Sequence, residues 1–323
     1  MPLETLGVDL GATKVAAALV DAEGCIVASH VYPTNAAKGP DEVISDIVAC
    51  VRDGLGTSAR GAAGLGIGVA GQIDEATGAV HSAPNLGWHH VPLRAALEQG
   101  LGLPVVVTND VRAATWGEWM HGAGRGTQDL VTLFIGTGVG GGIVIGGYLI
   151  AGCTNATGEL GHMTIVTGGR KCHCRNRGCL EAYVGGWAIA EQAREAVLRD
   201  REAGRRLVAL AGGVDEITAG TVSEAYHQGD PLAVHLVEEI SRHLAAGIVT
   251  VVNAFNPCLL ILGGGVVEGL PELAALAEAP VRAHALEAAV SALRISRAAL
   301  GNQAGVIGAA ALARRKVANM APP

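Results

Sequence analysis

Apolar and polar residues alternate near the start of the chain in a way that predicts three short strands joined by tight turns. The segment LGVDLGATKVAAALVDAEGCIVASHV contains an apolar strand that ends at Asp9, a small-residue turn at 11–13 and a second strand. A turn at Glu23 and Gly24 leads into the third strand. The same order of strand, glycine turn and strand returns in FIGTGVGGGIVIGGYLIAG, residues 134–152. We predict that one supersecondary unit occurs twice, against the alternative of two unrelated hairpins.

The rest of the chain alternates between patterns typical of helices and of strands. The predicted elements are, in order, a helix at 40–55, a strand and turn at 62–73, a buried strand at 103–110, a helix at 111–122, long helices at 186–211 and 230–256, and a strand broken by a glycine turn at 263–265. Strands that alternate with helices indicate an α/β fold. No linker or low-complexity segment separates the two halves of the chain.

The charge-free stretch 130–158 admits three interpretations. A membrane-spanning helix needs about 20 continuous apolar residues, whereas glycines interrupt this stretch throughout. Gly136, Gly138 and Gly141 match the GxGxxG pattern of dinucleotide-binding folds, but that pattern requires a helix directly after the glycines. Here a strand, a Gly-Gly turn and another strand follow, so we predict a hairpin whose backbone N–H groups can approach a phosphate closely. Two such turns facing each other across a cleft can hold a triphosphate from both sides.

Length, composition and charge restrict the class of protein. A chain of 323 residues is expected to form two domains. Half of the residues are apolar, 16% are charged and the net charge is -7, so the chain lacks the basic surface that nucleic-acid binding requires. We expect neither a nucleic-acid partner nor a membrane, and the start of the chain carries no secretion signal. In the expected cytoplasmic location the seven cysteines remain thiols or bind metal.

The strongest metal signal lies in GHMTIVTGGRKCHCRNRGCLE, residues 161–181. One imidazole and three thiols at short spacing are the ligand set of a closed tetrahedral Zn2+ site, and they are supplied by His162, Cys172, Cys174 and Cys179. His173 is an alternative to His162, and free thiols beside a solvated basic loop are the alternative to a metal. Apolar neighbours predict small core residues at the other cysteines, which are Cys25, Cys50, Cys153 and Cys258.

An Asn-Asp pair directly follows the buried strand predicted at 103–110. Asn109 and Asp110 stand at the carboxyl end of this strand and before a helix, where clefts form in α/β folds. Asp at such a position also caps helices well. From the residues alone, a helix cap and a catalytic carboxylate both remain open for Asp110.

Seven motifs together resemble one family. In chain order they are GVDLGATK, APNLGW, TND, IGTGVGGG, GELGH, CHCRNRGCLEAY and LILGGGV. This combination resembles the ROK family of sugar kinases and sugar-responsive repressors, over nearly the whole chain. The resemblance implies an α/β, two-domain actin-like (ribonuclease H-like) ATPase fold with an interdomain cleft. A smaller domain is expected over 1–119 and 302–323, and a larger domain with the zinc loop over 120–301.

The resemblance also implies roles for individual residues. Asp110 is expected to be the general base and Asp9 to position Mg2+. The residues expected to contact ATP are Gly11, Thr13, Lys14, Thr137 and Gly138 at the phosphates, and Gly264 and Gly265 at the adenosine. The residues expected to bind the sugar are Gly71, Asn85, Asn109, Asp110, Glu159, His162 and Glu181. The family pattern places the zinc ligand at His162, so that zinc would hold the sugar-binding loop in place.

These roles imply ATP-dependent phosphorylation of a hexose, with glucose as the expected acceptor, by a homodimer or homotetramer. Other acceptors (N-acetylglucosamine, N-acetylmannosamine, mannose or fructose), other donors (ADP or polyphosphate) and a non-catalytic sugar sensor remain open. A ROK repressor would carry a DNA-binding domain before the first strand, which begins near Thr5 here. An actin- or chaperone-like ATPase would lack the zinc and sugar motifs.

Two residues depart from the family pattern. Arg112 stands where asparagine usually follows the catalytic dipeptide, which changes the expected wall near the phosphoryl acceptor. Arg175 stands where glycine commonly follows the second cysteine. If φ is positive at that turn, an arginine there is strained.

Overall fold

The computed structural model of the protein describes residues 3–34 and 36–320. The strands are β1 (Thr5–Leu10), β2 (Lys14–Val20), β3 (Ile26–Pro33), β4 (Leu65–Val69), β5 (Gln72–Ile73), β6 (Val80–Ala83), β7 (Trp88–Val91), β8 (Val105–Asn109), β9 (Leu130–Ile135), β10 (Val139–Ile145), β11 (Tyr148–Leu149), β12 (Leu259–Gly263) and β13 (Arg294–Arg297). The helices are α1 (Pro40–Ala49), α2 (Leu93–Leu101), α3 (Asp110–His121), α4 (Glu181–Val184), α5 (Gly186–Arg199), α6 (Arg205–Ala211), α7 (Ala219–His227), α8 (Pro231–Phe255), α9 (Gly265–Gly269), α10 (Glu272–His284), α11 (Glu287–Val290) and α12 (Ala304–Met320).

Two five-stranded sheets share one strand order. The first runs β3-β2-β1-β4-β8 and the second runs β11-β10-β9-β12-β13. In the first, β1 pairs antiparallel with β2 and parallel with β4. In the second, β9 pairs antiparallel with β10 and parallel with β12. The prediction that one supersecondary unit occurs twice is therefore confirmed.

The chain forms two compact units, each containing one of these sheets. The first unit comprises Met1–Gly126, Leu149–Thr157 and Ala299–Pro323, and the second comprises Thr127–Tyr148 and Gly158–Ala298. The segment Leu149–Thr157, which the sequence-based division placed in the larger domain, belongs to the first unit. The guanidinium of Arg112 holds it there by donating from Nη1 to the carbonyl of Ile150 at 3.0 Å.

Helix α12 packs directly against the first sheet because glycines face it. A Cβ added at Gly7 would overlap the carbonyl of Val306, and one added at Gly66 would overlap the carbonyl of Ala309. Thr5 donates from Oγ1 to the carbonyl of Ala310 at 2.9 Å across the same contact. The glycines in the apolar strands β1 and β4 therefore allow backbone-to-backbone packing that any side chain would prevent.

A buried carboxylate joins the end of α3 to the chain that precedes α12. Glu118 is fully buried and accepts backbone N–H groups from Leu300 at 2.7 Å, Ala299 at 3.0 Å and Ala123 at 2.9 Å. Three backbone donors satisfy the carboxylate in the absence of water. Sequence reasoning gave Glu118 no role. One partner, Ala123, lies in the next turn, and the other two, Ala299 and Leu300, lie far away along the chain.

The predicted elements differ from the structure in three places. The helix predicted over 40–55 is α-helical only as far as Ala49 and continues as a π-helix over Cys50–Gly54. The long helix predicted over 186–211 is wrong: it is divided into α5 and α6 by a turn in which the carboxylate of Asp200 accepts from the backbone of Glu202 and Ala203. After the glycine turn that follows β12 the chain enters α9, not a strand. Within residues 3–34 and 36–320, none of the helices combines the length and apolar character of a membrane span.

Candidate active site and metal centre

Three parallel strands of the first unit end at one edge of their sheet. In the register, Asp9 of β1 lies beside Gly68 of β4, and Val69 lies beside Asn109 of β8. The carboxyl ends of parallel strands are where α/β folds bind ligands. Of the predicted site residues, Asp9, Gly71, Asn109 and Asp110 are therefore brought to this edge.

The capping question for the Asn-Asp pair is answered by Asn109. Its Oδ1 accepts the backbone N–H of Arg112 at 3.1 Å, so Asn109 is the N-cap of α3 and Asp110 is the first residue of the helix. Its Nδ2 donates to the carbonyl of Gly71 at 3.3 Å. The interpretation of Asp110 as the cap is therefore wrong, and the Asp110 carboxylate is not needed for that purpose.

The carboxyl groups of Asp9 and Asp110 act on each other electrostatically. Burial first, and then the negative charge of Asp110, raise the pKa of Asp9 to about 6, although the positive charge of Lys14 opposes them. A divalent cation beside Asp9 would offset both causes of its raised pKa, because positive charge compensates for burial and for the repulsion by Asp110. Oxygen ligands of this kind suit Mg2+.

The turn between β1 and β2 directs two backbone N–H groups to one side. The carbonyl of Ala12 accepts from the backbone of Ala36 at 3.2 Å, and the carbonyl of Thr13 accepts from Thr34 at 3.0 Å. In a planar trans peptide the C=O and N–H groups point in opposite directions. The N–H groups of Thr13 and Lys14 therefore point away from Thr34 and Ala36, which donate to these carbonyls.

The turn between β9 and β10 has the same arrangement in the second unit. Its carbonyls at Gly136 and Thr137 accept from the backbone of Gly186 at 2.9 Å and Trp187 at 3.2 Å, at the start of α5. The N–H groups of Thr137 and Gly138 accordingly point away from α5. Each unit thus presents two successive backbone donors from a glycine-containing turn, a geometry suited to phosphate oxygens.

A cavity of about 450 Å3 adjoins the turn of the second unit. We call it the glycine-lined cavity, and its lining includes Gly136, Thr137, Trp187, Thr218 and Gly265. Its size falls within the range of small-molecule sites. The predicted adenosine-contacting residue Gly265 therefore lies in the same cavity as the predicted phosphate-contacting turn.

Four side chains in the second unit form a compact cluster of potential metal ligands. The ligand atoms of His162, Cys172, Cys174 and Cys179 all lie within 4.8 Å of one another. The Sγ atoms of Cys174 and Cys179 are 3.6 Å apart, and Sγ of Cys172 is 3.8 Å from Nδ1 of His162. Tetrahedral zinc with Zn–S bonds of about 2.3 Å requires ligand separations of roughly 3.5–3.8 Å. The cluster therefore fits Zn2+, with His162 rather than His173 as its fourth member.

Burial supports a cation in this cluster. It raises the pKa of the Cys172 thiol to about 12, so that a thiolate at this position needs a compensating positive charge.

The other cysteines differ from expectation: Cys50 is buried, but Cys25, Cys153 and Cys258 are exposed, so the prediction of core positions is wrong for these three. Cys25 directly follows the turn after β2, and Cys258 directly precedes β12, so both lie at the ends of strands rather than within them.

The predicted sugar-binding residues of the second unit surround the cluster. Nε2 of His162 lies 3.9 Å from Oε2 of Glu159, so a metal at Nδ1 leaves the other ring nitrogen facing a carboxylate. Oε1 of Glu181 lies 3.8 Å from Sγ of Cys172, while Oε2 accepts the backbone N–H of Val139 at 2.9 Å. Glu181 therefore connects the metal cluster with strand β10, a link that sequence reasoning missed.

The structure places Asn85 and Arg112, two positions singled out in the sequence, in contrasting surroundings, because the first is exposed and the second is buried. Asn85 is exposed, in the 3-10 turn Pro84–Leu86 of the first unit. Arg112 is 7% exposed, and burial lowers the pKa of its guanidinium while the charge of Glu75 opposes that change. Its buried Nε has no hydrogen-bond partner. The departure from the family pattern at this position thus places a desolvated cation in the first turn of α3.

Arg175, the second departure from the family pattern, has the conformation that was predicted to be strained. Its φ is +75°, in the left-handed region that costs a non-glycine residue about 1–2 kcal/mol. We expect Arg175→Gly to raise the free energy of unfolding by up to about 1 kcal/mol, measured by denaturant titration.

Arg177→Gly is the matched control for this prediction. It removes the same charge from the same loop at a residue without positive φ, and should lower the free energy of unfolding by about 0.5–1 kcal/mol. If both variants lose stability, Arg175 is not strained.

Comparisons with known proteins agree over nearly the full length of the chain. A model of the ROK family matches residues 5–316. The chain is 37% identical to a glucokinase of Streptomyces coelicolor, over 96% of this chain and 97% of the relative. It is 32% identical to a glucokinase of Thermotoga maritima, over 98% of each. A ROK family glucokinase from Streptomyces griseus, solved with glucose and AMPPNP, has a TM-score of 0.81 and 37% identity over 97% of this chain and 99% of that one.

Proposed function

The chain belongs to the ROK family, and from this premise we propose that it transfers the γ-phosphoryl group of ATP to glucose. It is a sugar kinase with the α/β actin-like fold. The observation that carries the choice of glucose and ATP is the 37% identity, over almost the whole chain, with a relative that binds glucose and an ATP analogue. A cytoplasmic location and a homodimer or homotetramer remain predictions.

Roles in nucleotide binding are proposed for the turn between β1 and β2 in the first unit, and for the turn between β9 and β10 and the glycine-lined cavity in the second. Gly11, Thr13 and Lys14 in the first unit would bind phosphate oxygens, as would Thr137 and Gly138 in the second. Gly264 and Gly265 would contact the adenosine. The two pairs of outward-pointing N–H groups support these roles, because such donors bind anions without the desolvation of a charged side chain.

Mg2+ is proposed at the Asp9 carboxylate. It would neutralise charge on the phosphates during transfer. In this proposal Asp9 is the ligand that positions Mg2+. Its raised pKa supports that role, because a nearby cation stabilises the ionised carboxylate.

Asp110 is proposed as the general base. It would accept the proton of the sugar's primary hydroxyl at O6 while that oxygen forms a bond to the γ-phosphorus and the bond from phosphorus to ADP breaks. The support is that Asn109 performs the helix capping and that Asp110 lies beside Asp9 at the strand ends.

Roles in sugar binding are proposed for residues of each unit, together with a structural zinc in the second unit. Gly71, Asn85 and Asn109 belong to the first unit, and Glu159, His162 and Glu181 to the second. Zn2+ at the proposed ligands His162, Cys172, Cys174 and Cys179 would supply no chemistry to the transfer. Its proposed role is to hold the loop that carries the sugar-binding carboxylates in one conformation.

An assay of sugar-phosphate formation, the product common to every donor, tests the proposal. Glucose, mannose, fructose, N-acetylglucosamine and N-acetylmannosamine are compared at equal concentration, with ATP, ADP and polyphosphate as donors. The highest kcat/KM is expected for glucose with ATP. A higher value for another hexose would replace glucose, and no turnover with any pair would favour a non-catalytic sugar sensor.

Gly136→Ala tests the phosphate turn of the second unit. A Cβ at Gly136 meets nothing within 4 Å, whereas one at Gly138 would lie 2.6 Å from Oε2 of Glu181 and disturb that carboxylate. The added methyl group at 136 therefore occupies only the open space where a phosphate would approach. We expect the KM for ATP to rise about tenfold with the KM for glucose unchanged.

Gly213→Ala is the matched control for this experiment. Gly213 lies in the same unit between α6 and α7, its φ is not positive, and an added Cβ meets only Cγ of Glu216 at 3.9 Å. Equal ATP kinetics in both variants and the wild type would show that the turn at 136–138 does not hold phosphate.

A further inference from the structure

Trp187 contacts both the proposed nucleotide site and the loop over residues 170–180, which carries the three clustered cysteines and which we call the metal-binding loop. It is the second residue of α5, is half-buried and lines the glycine-lined cavity beside Gly136 and Thr137. Its backbone N–H donates to the carbonyl of Thr137 at 3.2 Å. The indole therefore forms a wall next to the turn that is proposed to hold phosphate.

The metal-binding loop packs against this indole. The ring of His173 is stacked on Trp187, with centroids 4.0 Å apart and planes 24° from parallel. His173 lies between Cys172 and Cys174 in the chain but is not a member of the ligand cluster. Any change in the backbone at these two ligands is therefore transmitted directly to the ring that contacts Trp187.

Two further contacts join the loop to the same region. Nε1 of Trp187 is 3.4 Å from Oε1 of Glu181, and the other oxygen of Glu181 accepts from Val139, directly after the phosphate turn. Arg170, at the start of the loop, donates to the carboxylate of Glu195 from both terminal nitrogens at 2.8 Å, on α5 itself. The loop and α5 are thus connected at several points.

We infer that Trp187 is a positioning residue that couples metal binding in the loop to nucleotide binding in the glycine-lined cavity. The inference rests on the proposed function, because it takes this cavity as the adenosine site. With the loop held by its metal, His173 keeps the indole in one orientation and the cavity wall is formed before the nucleotide arrives. Without that contact, nucleotide binding must also order the indole, which weakens binding by roughly threefold to tenfold.

His173→Ala tests the inference with a binding measurement rather than activity. The variant removes the stacked ring and keeps all four proposed ligands. Titration calorimetry should show a dissociation constant for AMPPNP about threefold to tenfold above that of the wild type. Elemental analysis should show an unchanged metal content, and the affinity for glucose should stay the same.

His243→Ala is the matched control. His243 is stacked on Tyr183 in the same unit, with centroids 4.3 Å apart and planes 26° from parallel, outside the lining of the cavity. Loss of this stack should leave AMPPNP binding unchanged. Weakening by the same factor in both variants would indicate a general loss of packing and would overturn the inference.

Trp187→Leu provides a second test that does not depend on the His173 variant. Removal of the metal by a chelator should weaken AMPPNP binding in the wild type but change it little in Trp187→Leu, because coupling requires the indole. An equal effect of chelation in both proteins would overturn the inference. If the metal-loaded wild type does not bind AMPPNP at all, the proposed nucleotide site itself is wrong, which distinguishes the two failures.

Discussion

Asp110→Asn should lower kcat by about 10²–10⁴-fold while the enzyme still binds glucose and remains as stable as the wild type. Asparagine preserves the size of the side chain but cannot accept the proton of the attacking hydroxyl. Because Asn109 caps α3, the change leaves the hydrogen bond that begins the helix in place. Steady-state kinetics, glucose titration and thermal unfolding together measure the three parts of this result.

The control for Asp110→Asn is Asp53→Asn, the same substitution at an exposed residue of the same unit. It should leave kcat unchanged. A variant at 110 that keeps its kcat would show that the base lies elsewhere, and Glu159 would be the next residue to test. A variant that loses stability as well as kcat would instead indicate that the Asp110 carboxylate is structural.

Cys174→Ser should remove the bound metal and, with it, most of the affinity for glucose. Changes around a metal ligand commonly reduce metal affinity 10–100-fold, and loss of a ligand should exceed about 100-fold. The loop that carries Glu159, His162 and Glu181 would then lose its fixed conformation. We expect the KM for glucose to rise by at least roughly tenfold and the thermal midpoint to fall.

Elemental analysis of purified protein measures this prediction directly, with about one zinc per chain expected in the wild type. Cys258→Ser is the matched control, because Cys258 is an exposed thiol of the same unit outside the cluster. It should retain the metal and normal kinetics. Active wild-type protein without metal would refute the prediction whatever the variants do.

Local chemistry in the sequence was sufficient for several features of the site. The spacing of His162 and the three cysteines predicted a cluster that the structure forms, since those ligands lie within one short segment. The repeated strand, glycine turn and strand predicted the shared order of the two sheets. The sequence also identified Arg175 as a residue that would be strained if its φ were positive, and its φ is positive.

Contacts between distant segments were not foreseeable in the same way. Asn109, which caps α3, also donates to the carbonyl of Gly71 far earlier in the chain, and the partners of Glu118 at Ala299 and Leu300 lie near the other end of the chain. The exposure of Cys153 depends on the loop that contains it rather than on its apolar neighbours. None of these features leaves a periodic pattern in the sequence.

The sequence by itself therefore determined the strands of the repeated unit, the glycine turns and the candidate metal cluster, because each depends on residues within one short segment of the chain. The tertiary structure alone decided which of two neighbouring side chains caps α3, how the Asp9 and Asp110 carboxyls interact, and that His173 packs on Trp187. The physical reason is that the period of apolar residues along a helix or strand specifies which of its faces is buried. It does not specify which residue of another element that face contacts. That choice is made by side-chain packing and by hydrogen bonds between segments far apart in the chain.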